Sequence, residues 1–203
     1  TYGEVSDAAA TLAANVGNYV SGSHAATVTD AATIAQLTTI DGFTTGVLTY
    51  GTVADAAATL ANNAGGYVSG AHAVTVGDNA TVAQLGAIDS YTTGVMTYGS
   101  LSDTAANLFA NSGNYVAGSH AVTVTTAATV AQLTGIDNNT TGVMTYGEVS
   151  DVAATLVTNA GAYVAGSHAV TVSNAASIAQ LTTIDAFTTG VMTYGEVSDA
   201  AAT

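Results

Sequence analysis

One tripeptide constrains this chain more than any other feature. Thr-Tyr-Gly recurs with its tyrosine at Tyr2, Tyr50, Tyr98, Tyr146 and Tyr194, an unbroken spacing of 48 residues. His24, His72, His120 and His168 keep the same period, as do Gln36, Gln84, Gln132 and Gln180, and Asn15, Asn63, Asn111 and Asn159. Such a period marks a repeat architecture, in which each unit buries its apolar face only by stacking on its neighbours. Four periods pass without insertion or deletion, as stacking demands, since a slip in one coil would put its neighbours out of register. The chain therefore reads as one continuous array, with repeats at 1–48, 49–96, 97–144 and 145–192 and the start of a fifth at 193–203.

A second period lies inside the first. Val5-Ser6-Asp7, Val28-Thr29-Asp30 and Val53-Ala54-Asp55 each stand before an Ala-rich run, which gives half-repeats of 23 and 25 residues. Asp7 reads as a helix N-cap, Leu12, Val16 and Tyr19 follow at helical spacing, and Gly17 can supply a left-handed stop. Asp55, Asp103, Asp151 and Asp199 repeat the start, and Gly65, Gly113 and Gly161 the stop. In the second half Ile34, Leu37 and Ile40 form the apolar stripe, behind a cap position filled by Asp30, Asp78, Thr126 or Asn174. All four can accept a hydrogen bond from a first helical turn, so capping recurs there and charge does not. Alternating β-branched segments, such as Ala121–Thr125 and Gly142–Tyr146, read as strands. Strand and helix in tandem imply parallel strands joined by crossovers, an α/β tandem-repeat solenoid with short Ala-rich helices. The alternative is a β-solenoid in which the Ala-rich stretches are only short helical turns.

Composition then excludes functions. The chain has 203 residues, no Lys, Arg, Pro, Cys or Trp, and 14 acids that give a formal charge of -14. At 48% hydrophobic it has a core to bury, unlike a disordered acidic tail. Nucleic acid and anionic membrane are bound chiefly through Lys and Arg, so neither is an expected partner, whereas diffuse cations are. No apolar run is long enough for a membrane helix, and membrane insertion is not expected.

Candidate sites read as structural. Four histidines a full repeat apart are too widely spaced to share one metal ion, and no Asp-rich calcium loop is present, so no metal or cofactor is expected. Asp41, Asp89, Asp137 and Asp185 follow an isoleucine at a helix end and read as supports for the next turn. Every nucleophile or acid that might serve catalysis is copied four times, whereas active sites are singular, so an enzyme is not expected. Asn79, Asn138 and Asn139 head formal glycosylation sequons, and the pairs Thr44-Thr45, Thr92-Thr93, Thr140-Thr141 and Thr188-Thr189 read as loop positions for O-linked sugar. If Val95 and Thr97 face the helices, Met96 and Tyr98 project outward. Leu48 with Tyr50, Met144 with Tyr146 and Met192 with Tyr194 then complete an apolar stripe suited to self-association. Thr27 with Thr29 and Thr123 with Thr125 suggest a threonine face like that of some ice-binding solenoids, a minor alternative.

The units Val5 to Asn15 and Val28 to Leu37 resemble repeats of giant surface proteins of cyanobacteria and other aquatic bacteria. The resemblance implies an adhesin-like, surface-layer or fibre role at the cell surface or outside the cell, and assigns no site residue. The expected function is a structural filament or fibre, or alternatively an adhesin stalk. Residues 1–11 are identical to residues 193–203, which further suggests a longer array joined covalently or by end-to-end stacking of copies.

Overall fold

The computed structural model describes residues 3–199, so Tyr2 and the last residues of the fifth-repeat start lie outside the described residues. Two compact units, Thr1–Ser100 and Leu101–Thr203, contain the same order of elements. The first holds β1 (Glu4–Asp7), α1 (Ala9–Ala14), β2 (Ala25–Val28), α2 (Ile34–Asp41), β3 (Leu48–Thr49), β4 (Thr52–Asp55), α3 (Ala57–Asn62), β5 (Ala73–Val76), α4 (Val82–Tyr91) and β6 (Met96–Thr97). The division falls within β7 (Ser100–Asp103). After it come α5 (Ala105–Ala110), β8 (Ala121–Val124), α6 (Val130–Asp137), β9 (Met144–Thr145), β10 (Glu148–Asp151), α7 (Ala153–Thr158), β11 (Ala169–Val172), α8 (Ile178–Asp185) and β12 (Met192–Tyr194). Each repeat forms one three-stranded sheet, β1-β2-β3, β4-β5-β6, β7-β8-β9 and β10-β11-β12. The paired strands run parallel. The fold is thus α/β with repeated strand–helix units. The first two strands of a sheet lead into helices, but the third runs on into the next strand, which plain strand–helix alternation does not anticipate.

Local sequence explains these elements. In β2, Ala26 and Val28 are buried while Ala25 and Thr27 are only half-buried, the two-residue alternation of a sheet with one face on the core. Helices α2, α4, α6 and α8 start at Thr33, Thr81, Thr129 and Ser177, whose hydroxyls accept the N–H of Gln36, Gln84, Gln132 and Gln180. Each glutamine side chain returns a bond to the cap backbone, a full capping box that accounts for the recurring Gln. Ile34, Leu37 and Ile40 are buried as expected, with Val82, Leu85, Ile88 and Val130, Leu133, Ile136 in the same places. The odd-numbered helices differ from expectation. They stop at Asn15, Asn63, Asn111 and Asn159, left-handed residues with φ between 42° and 45°, two positions before Gly17 and its copies. Asn15 holds that turn by accepting the N–H of Val20 at 2.9 Å and donating to its carbonyl at 2.9 Å. Gly17 is still required, at φ +90°, because an added Cβ would lie 2.4 Å from the Tyr19 ring. Val16 and Tyr19 sit beyond the helix and are exposed, so only Leu12 of that predicted stripe is core.

Register shows how repeats join within a unit. Val5 pairs with Ala26 and Ala26 with Leu48, offsets of 21 and 22 residues. Val149, Val170 and Met192 repeat both offsets. Two coils therefore use 43 residues of register in a repeat of 48, and the sheet steps by 5 residues. The step appears as a new parallel bridge, Ala32 to Val53 in the first unit and Ala128 to Val149 in the second, from which the next sheet starts. Parallel strands lie about 4.8 Å apart and packed helices about 8–10 Å. Sheets broken after three strands limit how far that mismatch accumulates.

Candidate functional site

The recurring polar residues meet at the joints between coils. Asp30 Oδ1 accepts the N–H of Ala9 at 2.7 Å, and Asp78 does the same for Ala57 at 2.7 Å, Thr126 Oγ1 for Ala105 at 3.1 Å and Asn174 Oδ1 for Ala153 at 2.8 Å. The acceptor chemistry is as the sequence suggests, but the helix served belongs to the preceding coil, 21 residues earlier. Asp7, Asp55, Asp103 and Asp151 are likewise not the N-cap residues of their own helices: Asp7 and Asp103 accept the N–H of the next residue, Ala8 and Thr104, at 2.7 Å, and Asp103 also accepts from Asn107 Nδ2 at 2.8 Å. The N-cap positions of the following helices are Ala8, Ala56, Thr104 and Val152. Asp55 instead bridges, accepting from Ala56 N–H through Oδ1 at 2.8 Å and from Ile34 N–H of the previous coil through Oδ2 at 3.1 Å. Asp151 bridges Val152 and Val130 in the same way. Asp55 and Asp151 thus tie the start of one coil to the helix N-terminus of the coil before it.

A second joint is made by threonine. Thr92 is buried, and its hydroxyl donates to the carbonyls of Gly70 and His72 and accepts the N–H of Gly94 at 2.9 Å. Thr44, Thr140 and Thr188 make the same three contacts in their repeats. Gly94 must be glycine, since an added Cβ would meet the His72 carbonyl oxygen at 2.3 Å. Of the Thr-Thr pairs read as sites for O-linked sugar, the first member is therefore buried with its hydroxyl engaged. Thr45, Thr93, Thr141 and Thr189 are exposed, and each donates to the same glycine carbonyl as its neighbour. Asn79, Asn138 and Asn139 are exposed. Asn79 accepts from Ser100, and Asn139 donates to the Gly135 carbonyl at 2.8 Å.

The third joint is aromatic. Tyr50 stacks on His72 with ring centroids 4.1 Å apart, meets Tyr67 edge-on at 6.2 Å, and donates its hydroxyl to the Tyr67 carbonyl at 3.1 Å. Tyr67 in turn donates to Asp41, the last residue of α2, at 3.3 Å. Tyr146, His168, Tyr163 and Asp137 rebuild the cluster in the second unit. The Asp at the helix end thus receives a tyrosine from the following repeat. Burial first, then neighbouring tyrosine and aspartate charge, raises the pKa of Tyr50 and of Tyr146 above the ordinary 10.0. Burial also raises Tyr67, Tyr98 and Tyr163. His72 and His168 are ring-stacking partners, and among the described residues no group of three or more His, Cys, Asp or Glu could hold a metal ion.

The apolar stripe has the opposite orientation from its premise. Val47, Val95, Val143 and Val191 are exposed, as are Thr49, Thr97, Thr145 and Thr193, while Leu48, Met96, Met144 and Met192 with Tyr50, Tyr98 and Tyr146 are half-buried. Tyr194 is exposed. Register also places Thr27 beside Thr49, Thr75 beside Thr97, Thr123 beside Thr145 and Thr171 beside Thr193, a cross-strand pairing that the one-dimensional search misses. These rows are not free of charge, because Thr27 and Thr171 donate to Glu4 and Glu148. No described helix is long and apolar enough to cross a membrane. Comparison with known protein families, with curated proteins and with solved structures finds no match.

Proposed function

We propose that this chain is a structural repeat protein, a solenoid segment that builds a filament or fibre at or outside the cell surface. One observation carries the reading: the residues that recur in register are spent on coil-to-coil links. Asp, Thr and Asn side chains cap or clasp a neighbouring coil, and the tyrosines close the cluster that joins successive repeats. Among the described residues no buried side-chain polar atom lacks a partner. Stacking of this kind spreads stability over nearest-neighbour interfaces, which suits a load-bearing or spacing element. The one-signed charge, with no Lys or Arg to oppose it, and the resemblance to surface-protein repeats support an extracellular place, in which counterions screen the charge of -14.

Electron microscopy of the purified chain, with mass from light scattering over a range of concentrations, tests the proposal. Elongated particles that lengthen with concentration are expected for the filament. Rods of one fixed length at every concentration would favour a stalk that holds a separate domain away from the cell. Compact particles with neither behaviour would overturn both.

A further inference from the structure

Asp41-Gly42 is the one Asp-Gly pair in the sequence, and Asn-Gly does not occur. The other three repeats place Ser90, Asn138 and Ala186 after the equivalent Asp89, Asp137 and Asp185. Such a pair is chemically distinct, because glycine carries no Cβ to keep its backbone nitrogen away from the preceding carboxyl. That nitrogen can attack Cγ of the aspartic acid. The N–Cγ bond forms, the Cγ–OH bond of the protonated carboxyl breaks, and the amide hydrogen leaves with that hydroxyl as water, giving a five-membered succinimide. Water then opens the ring at either carbonyl, and nothing is oxidised or reduced. One opening restores aspartate. The other gives isoaspartate, whose main chain runs through Cβ and Cγ and is one carbon longer.

Nothing in the fold asks for glycine at this place. Gly42 has φ -66° and ψ -18°, where Asn138 has -66° and -20° and Ala186 -66° and -18°. A Cβ added to Gly42 would meet the Thr38 and Thr39 carbonyl oxygens at 3.4 Å, an ordinary contact. Two hydrogen bonds restrain the pair. Gly42 N–H, on the attacking nitrogen, donates to the Thr38 carbonyl at 3.1 Å. Asp41 Oδ2 accepts the Tyr67 hydroxyl at 3.3 Å, and Tyr67 is itself held by Tyr50, whose hydroxyl donates to its carbonyl. Asp41 and Gly42 are both exposed, so no packing bars ring closure once these bonds open. The rate then follows the population of the locally opened joint.

We propose that Asp41-Gly42 is a spontaneous isomerisation site gated by the joint between coils. The reaction proceeds from the state in which Tyr67 has released Asp41, and its product keeps that joint from closing again. The extra main-chain carbon falls at the end of α2, in an array that takes no insertion over four periods, and it moves the carboxylate that Tyr67 holds. Asp137 receives Tyr163 in the same way but precedes Asn138, so the second unit has the joint without the reactive pair. The site is independent of the filament reading. In a long-lived structural element it is the place at which successive repeats uncouple with age.

Incubation of the folded full chain for weeks in mildly acidic buffer tests the site, with isoaspartate located by peptide mapping and labelled by an isoaspartyl methyltransferase. The mapping protease must cut at aromatic or apolar residues, since the chain has no Lys or Arg. Isoaspartate should accumulate at Asp41 ahead of Asp89, Asp137 and Asp185. Gly42→Ala should abolish that lead and melt no lower than the parent chain, because Ala186 already occupies the same backbone conformation. Tyr67→Phe should raise the rate at Asp41 by about two- to tenfold, the worth of one hydrogen bond, and leave Asp137 unchanged. In urea the parent chain and Tyr67→Phe should isomerise at one rate, faster than either folded chain. If Asp41 leads the other three in urea but not in the folded chain, the fold closes the site and the proposal is wrong. If folded Tyr67→Phe isomerises at the parent's rate, the joint does not gate the reaction and the proposal fails there.

Discussion

Thr92→Val isolates the threonine clasp, because valine keeps the β-branched shape and volume while removing the hydroxyl. No cavity is made. What changes is that the Gly94 N–H, held at 2.9 Å by Thr92 Oγ1, loses its acceptor, and the His72 carbonyl loses a donor. The Gly70 carbonyl suffers least, since it still accepts the Thr93 N–H at 2.7 Å. A buried polar group stripped of its partner costs about 1–3 kcal/mol. With one amide fully orphaned and one carbonyl partly so, the expected loss is about 2–4 kcal/mol. For a chain of this size that corresponds to a fall of roughly 4–16 °C in melting temperature, at about 2–4 °C per kcal/mol. Thr92→Ser keeps the hydroxyl and loses one methyl, so about 1 kcal/mol is expected. Urea unfolding followed by circular dichroism supplies the free energies, and amide hydrogen exchange at Gly94 supplies a local readout, since that proton should lose protection in Thr92→Val and keep it in Thr92→Ser. Val destabilising less than Ser, or Gly94 equally protected in both, would refute the clasp.

Three further outcomes follow from the other joints. Asp78→Asn should unfold close to the parent chain, because Asn174 already performs the same single-oxygen capping in this protein, whereas Asp78→Ala should cost about 1–2 kcal/mol in urea titration. Gly135→Thr should destabilise the second unit by about 1–3 kcal/mol through overpacking, since an added Cβ meets the Phe109 ring at 2.4 Å, and Phe109→Ala in the same chain should restore most of it, as measured by a double-mutant cycle. Tyr50 and Tyr146 have folded pKa values raised above 10.0, so the fold retains protons that the unfolded chain releases. Their contribution is complete below pH about 10 and is lost as pH rises through the raised values. Ultraviolet titration should show these tyrosines ionising later than those of the unfolded chain, and Tyr50→Phe should remove part of the late step.

The repeat, the parallel α/β class, the Ile34-Leu37-Ile40 core and the acceptor chemistry at Asp30, Asp78, Thr126 and Asn174 were all legible, because each depends on periodicity or on one residue's hydrogen-bonding capacity. What those acceptors serve was not legible, since a cap 21 residues from its helix leaves no local motif. The capping box shows the contrast. Thr33 and Gln36 lie three apart in one helix and can be recognised in line, yet the 48-residue recurrence of Gln36 by itself says nothing of its use. Gly17 reads as the stop ahead of Asn15 because glycine is the usual left-handed residue, and only the bonds to Val20 show that asparagine holds the turn. The stripe around Met96 faces the other way from its sequence expectation for a related reason. Alternation gives two faces but not which one is inward, and here a two-residue strand at a sheet edge has too few neighbours to decide it from sequence.

The same limitation conceals the step between repeats. A period of 48 invites the inference that residue i lies over residue i+48, but the hydrogen-bonded register closes after 43. The excess of 5 is what brings Ala32 to Val53 and Asp55 to Ile34, so the residues that join one repeat to the next are never the residues that match in an alignment of the repeats. Size complementarity also appears between the two coils of one repeat. Phe109 and Gly135 are a large and an absent side chain in contact, at positions where the other repeats carry Ala13 with Thr39, Ala61 with Ala87, and Val157 with Thr183. The separation of 26 within each pair is also that of Tyr67 from Asp41 and Tyr163 from Asp137. A separation shared by packing pairs and hydrogen-bonded pairs is a property of the coil geometry. It is the spacing at which to search related arrays for contacts between successive coils.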